Sequence, residues 1–147
     1  MPAGPTEMAT VEVTFTPLPA HVRTARLVAT AVARRSGVDE ALLDEVRLAV
    51  GEACSRAVEA HRRHCPAEPV RIEMTDADER FVVTVSDHAP TPSASPLAPA
   101  RDHDGGAAIP AGFGLAVISG LADDVRVSST SSGVSVRMSW PSAAAPA

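Results

Sequence analysis

Three short stretches carry the side chains best suited to chemistry. In the first, Glu45, Glu52, Arg56 and Glu59 follow at intervals of seven, four and three, so a helix places all four on one face. A glutamate so placed can serve as a general base, and an arginine can pair with an anion. The plain alternative is a solvated charged stripe. Glu52 and Arg56, four apart in the favourable order, then contribute only ~0.2–0.5 kcal/mol. In the second stretch, Asp87 follows the alternating run Phe81, Val83, Val85. A carboxylate at a strand end accepts a hydrogen bond from a ligand or closes a turn. In the third, Gly112-Phe113-Gly114-Leu115 opens an apolar segment. Free N–H groups and the positive dipole end of a helix start suit phosphate, and glycine lets it approach the chain. A glycine-bearing loop before a helix is the plain reading of that stretch.

Weaker groupings point to structure. His61, His64 and Cys65 cluster at a helix end, but zinc wants four ligands and no Cys-x-x-Cys pair is present. Histidines there complement the negative dipole end. Cys54 and Cys65 are eleven residues apart, roughly 16 Å along a helix, which is beyond disulfide reach; Cys54 reads as a small core residue. Asp102, His103 and Asp104 suit either a metal or plain solvation. The sequence has no Ser-His-Asp arrangement and no Walker-type phosphate loop.

The elements that must position these residues are legible from periodicity. Val11, Val13 and Phe15 alternate with polar residues as a half-buried strand, which Pro17 and Pro19 end. A helix follows from about Ala20 to Arg35, with Val22, Ala25, Ala29 and Val32 on one side and Arg23, Arg34 and Arg35 on the other; Ser36-Gly37 stops it. Asp39 caps a second helix running to about His61, with Leu43, Val46, Val50, Ala53 and Ala57 facing the core. Val70, Ile72 and Met74 form a strand, Thr75–Glu79 a polar turn, and Phe81, Val83 and Val85 the returning strand of an antiparallel hairpin. Residues 88–111 hold Pro90, Pro92, Pro96, Pro99, Pro110 and two glycines without periodicity, the pattern of a lid loop. A short helix over Phe113–Leu121, a strand starting at Val125 and Val127, a turn at Thr130–Gly133, and a strand through Val134, Val136, Met138 and Trp140 complete the order. The expected fold is an α/β two-layer sandwich with a mixed, mainly antiparallel sheet and helices on one face.

The bulk numbers fit one domain over residues 8–140, with flexible tails at 1–7 and 141–147 and the lid inside the domain. The 147 residues are 45% apolar and 21% charged, enough to bury a core. The net charge of −5 argues against a nucleic-acid surface. No apolar run is long enough for a membrane span, and no secretory signal is expected at the start. With only two cysteines, a reduced, cytoplasmic setting is expected.

On these residues the chain resembles the Bergerat-fold ATPases, a superfamily that includes the histidine-kinase-like ATPases. Within it the chain most resembles the anti-sigma-factor serine/threonine kinases of bacteria. Leu48-Ala49-Val50-Gly51-Glu52-Ala53-Cys54 is similar to that family's first nucleotide-site motif. Gly112-Phe113-Gly114-Leu115-Ala116-Val117-Ile118-Ser119-Gly120-Leu121-Ala122-Asp123-Asp124-Val125 is similar to its final one. In element order the likeness runs roughly from Val11 to Trp140.

The resemblance implies ATP and Mg²⁺ as cofactors and an ATP-dependent protein serine/threonine kinase. Glu52 would be the catalytic base that takes the proton of an attacking hydroxyl. Asp87 would accept from the adenine amino group, and Gly112, Phe113, Gly114 and Leu115 would cradle phosphate. Two residues depart from the pattern. Ala89 stands where a glycine is expected. Arg56 stands where an asparagine helps hold Mg²⁺, and a guanidinium has no lone pair for a metal. Arg56 can pair with Glu52 and mask it, or contact phosphates itself. Two functions follow. The first is an anti-sigma factor that sequesters a sigma factor, switches partner to an anti-sigma-factor antagonist, and phosphorylates that antagonist. The alternative is a catalytically degenerate module that regulates by protein binding alone. The resemblance further implies a homodimer as an available assembly, with no direct nucleic-acid or membrane contact.

Overall fold

A computed structural model describes residues 9–89 and 116–142. The chain runs β1 (Ala9–Phe15), α1 (Pro19–Ser36), α2 (Glu40–His64), β2 (Val70–Ala77) and β3 (Arg80–Ser86). It continues through α3 (residues 116–121) to β4 (Asp124–Thr130) and β5 (Gly133–Pro141). Residues 1–7 and 143–147 of the expected tails, and residues 90–111 of the expected lid, lie outside the described residues.

Local chemistry sets the helix ends. Pro19 occupies the first turn of α1, where its missing N–H would have had no partner anyway. α1 stops at Gly37, whose φ is 90°. Gly37 N–H donates to the Arg34 carbonyl and Val38 N–H to that of Ala33, both at 3.1 Å. This is a Schellman end, with buried Val38 supplying its apolar contact. Asp39 then caps α2 by accepting from Ala41 N–H at 3.0 Å. The three-residue link folds the two helices back on each other. α2 extends to His64, one turn beyond the expected end.

The sheet order is β1-β2-β3-β5-β4. The expected sheet is mixed and mainly antiparallel; the observed sheet is instead antiparallel at every neighbouring pair of described strands. β3 and β4 do run the same way, but β5 lies between them and no parallel ladder forms. The β2–β3 turn is tighter than the polar stretch implied. Asp78 and Glu79 alone make it, at φ 55° and 61°, the two left-handed positions of a tight hairpin. Thr75 and Asp76 are drawn into the ladder opposite Val82 and Phe81. β5 likewise reaches Pro141, where the sequence suggested a tail, and Ser142 N–H donates to the Glu79 carbonyl at 2.9 Å.

α1 and α2 cover one face of the sheet. Ala29, Ala33, Val46, Val50, Ala53 and Ala57 pack with Val70, Ile72, Met74, Phe81, Val83, Val85, Val136, Met138 and Trp140 in one core. Small alanines let the two helices approach closely. At Gly51 a Cβ would stand 2.6 Å from Arg26 Cδ, so the arginine stem lies directly over that glycine. Ile118 joins the core from α3, and Trp140 Nε1–H donates to the Leu121 carbonyl at 3.1 Å. The other face is polar. Thr75, Arg80, Thr84, Asp123, Arg126 and Arg137 line an open concavity of about 800 Å³ there.

Candidate functional site

α2 carries Glu52 and Arg56 one turn apart, above the end of β3 that presents Asp87. Glu52 is half-buried and, among the described residues, has no hydrogen bond or ion pair. The pairing of Glu52 with Arg56 is not made. The Arg56 guanidinium reaches across to Asp87 instead, with Nη1 to Oδ2 at 3.0 Å and the two side chains only 14% and 1% exposed. The shared helix face makes Glu52 the nearer partner for Arg56 along the chain. The buried carboxylate wins because it is cut off from water, where an opposite charge is worth most.

Asp87 is held on every side. Its Oδ1 accepts from Ala89 N–H at 3.0 Å and Val134 N–H at 3.2 Å, and its own N–H donates to the Val134 carbonyl at 2.9 Å. A Cβ at Gly133 would collide with the Asp87 carbonyl oxygen, so β5 begins pressed against this turn. Ala89, at the position where the resemblance expects glycine, is buried.

His61 anchors the same turn from below. Fully buried at the C-terminal end of α2, it places Nδ1 2.8 Å from the Glu68 carbonyl oxygen. Its Nε2 accepts the backbone N–H of His88 at 2.8 Å. These partners assign the tautomer: the carbonyl must receive a proton, so Nδ1 carries it and Nε2 is bare. The two histidine rings lie 5.9 Å apart. Composition alone makes His61 part of a polar helix end and misses this role. The signal is the core register itself, since His61 stands four residues beyond Ala57.

The remaining candidates separate. Glu59 pairs with Arg63 at 3.3 Å on the exposed side, and Glu45 is half-buried. Cys54 and Cys65 are free thiols. Burial pushes the Cys54 thiol up to about 12, against a smaller downward pull from Arg26. Desolvation raises Cys65 too, with the charges of Glu68 and Asp87 adding to it. Gly112, Phe113, Gly114, Leu115, Asp102, His103 and Asp104 lie outside the described residues.

As arranged, Asp87 has no open side for adenine, and Arg56 offers no lone pair to a metal. Asp87 Oδ1 already has two donors, Oδ2 has a guanidinium, and the side chain is 1% exposed. Among the described residues no cluster of three or more His, Cys, Asp or Glu side chains could hold a metal ion. None of their helices is long and apolar enough to cross a membrane.

A family model described as a histidine kinase-like ATPase domain matches residues 15–140. Among solved structures, the chain is similar to a crystal structure of the RsbU and RsbW domains of Rv1364c from Mycobacterium tuberculosis. The TM-score is 0.65 at 17% identity, over 94% of this chain and 35% of that one. This chain therefore spans about a third of the solved chain it matches. A search of the curated proteins gave no match.

Proposed function

We propose, from the premise that this chain belongs to the histidine kinase-like ATPase domain family, that it is an anti-sigma regulator that works by protein binding. It sequesters a sigma factor in the cytoplasm and exchanges it for an anti-sigma-factor antagonist. The motif likeness over Leu48–Cys54 supports the family role, and so does the shared fold with a structure that includes an RsbW domain. The observation that carries the binding reading is the buried Asp87 carboxylate, already engaged by Arg56 and two backbone N–H groups, at the position the resemblance reserves for adenine. The resemblance leaves a homodimer available as its assembly.

A second reading keeps the kinase. Glu52, half-buried and without a partner among the described residues, has the exposure and the free lone pairs of a general base toward a serine or threonine hydroxyl. One assay separates the two. The purified chain is mixed with labelled ATP, Mg²⁺ and its antagonist. No label reaches the antagonist if the chain acts by binding alone, while the sigma factor and the antagonist still compete for it. Transfer that disappears in Glu52→Ala establishes the kinase and overturns the binding-only proposal. Failure to bind either protein overturns the anti-sigma role itself.

A further inference from the structure

We infer that Arg56 is an internal ligand of Asp87 that stands in the place of adenine, so that this one side chain decides whether the domain admits a nucleotide. The inference rests on the resemblance that gives Asp87 its adenine role, and it concerns the regulation of that site.

The geometry supports the substitution of one ligand for another. An adenine amino group would bring a neutral N–H to the carboxylate; Arg56 brings a charged one, at 3.0 Å and largely out of water. A charged donor is roughly twice as strong as a neutral one, so an adenine amino group returns less to Asp87 than the departure of Arg56 removes. Asp87 Oδ2 keeps a lone pair, but with the side chain 1% exposed no second donor reaches it while Arg56 stays. Two backbone N–H groups fix Oδ1, and the backbone pair with Val134 fixes the residue. His61 Nε2 pins the next N–H, and Gly133 presses on the carbonyl. The carboxylate cannot swing toward a ligand while Arg56 stays. The same residue occupies the position where the resemblance expects a metal-holding amide, and it has no lone pair to offer. One residue thus removes both handles.

Arg56 is also imperfectly held. Its Nε is buried and makes no hydrogen bond, which costs stability. An asparagine there removes that orphan, frees Asp87 from the guanidinium and restores a carbonyl oxygen for a metal. Reopening the subsite is therefore within reach of a single substitution.

The test is a calorimetric titration of the full chain with ATP and ADP, with and without Mg²⁺. It compares wild type with Arg56→Asn and with Arg56→Lys, which retains the charge. Wild type and Arg56→Lys are expected to show no saturable binding. Arg56→Asn gains Mg²⁺-dependent affinity of about 10- to 100-fold over any residual wild-type binding, the range a hydrogen bond to a charged group supplies. Arg56→Gln serves the same purpose should the Asn variant not fold by circular dichroism. Wild-type chain that binds Mg-ATP as tightly as the variants overturns the inference, and so does a folded variant that gains nothing. Sigma-factor and antagonist binding are measured without nucleotide, so a failure there counts against the proposed function and leaves this inference standing.

Discussion

At the scale of single residues, burial has altered what ordinary side chains can do. Cys54 is 0% exposed, and its thiol is pushed from an ordinary 9.0 up to about 12 by the loss of water. An unfolded chain gives up that proton above about pH 9 while the folded chain keeps it. Stability is therefore intact below that pH and falls as pH rises through the window up to about 12, by about 1.4 kcal/mol per unit within it. Urea midpoints at about pH 8 and about pH 10 check this: wild type loses more than Cys54→Ala, and equal losses would refute it. Cys65 shifts in the same direction, so some alkaline loss persists in the variant. His61 is altered in another way. With its two nitrogens committed to a carbonyl and an N–H, it works as a bracket between α2 and the turn that follows β3.

At the scale of elements, the junction between β3 and β5 brings two backbones into close approach. Gly133 has φ 153°, and the space its missing Cβ leaves is taken by the Asp87 carbonyl. Gly133→Ala must strain the backbone, worth roughly 1–3 kcal/mol, and must also push β5 away from Asp87. Gly120 offers the contrast. It sits on α3, where an added methyl group would meet nothing within 4 Å, and alanine there gains up to about 1 kcal/mol of helix propensity. Denaturant unfolding of the two variants is expected to move in opposite directions. A Gly133→Ala midpoint equal to wild type would show that the close approach is not maintained in solution. The same junction sets the geometry of the candidate site, because Val134 supplies both a donor and an acceptor to Asp87.

At the scale of the whole molecule, one core joins both helices to all the inward-facing strand residues. Trp140, the only tryptophan, reports on that union. It is 1% exposed, hydrogen-bonded to Leu121, and 6.2 Å from Phe81. Its fluorescence and the far-ultraviolet circular dichroism are expected to change at one urea midpoint, as for a single cooperative domain. Two separated midpoints would mean that the α3–β5 end comes apart independently of the α1–α2 layer. The polar face opposite the helices takes no part in that core. Its ion pairs, such as Arg71 with Glu12 at 2.8 Å and Arg80 with Asp123 at 2.9 Å, are partly exposed and contribute little.

The sequence by itself determined the element order, the two helices and the faces they bury. Those rest on local periodicity and on caps such as Gly37 and Asp39, which act within a few residues. It also singled out Glu52, Arg56 and Asp87. It could not choose partners among them, because Glu52 is close to Arg56 along the helix whereas Asp87 is 31 positions away. Only the tertiary structure decided that Arg56 crosses to Asp87, that His61 faces inward, and that β5 separates two strands running the same way. The reason is common to all three. Each depends on which distant groups are jointly withdrawn from water, and that is a property of the packed sheet and helices rather than of any stretch of chain.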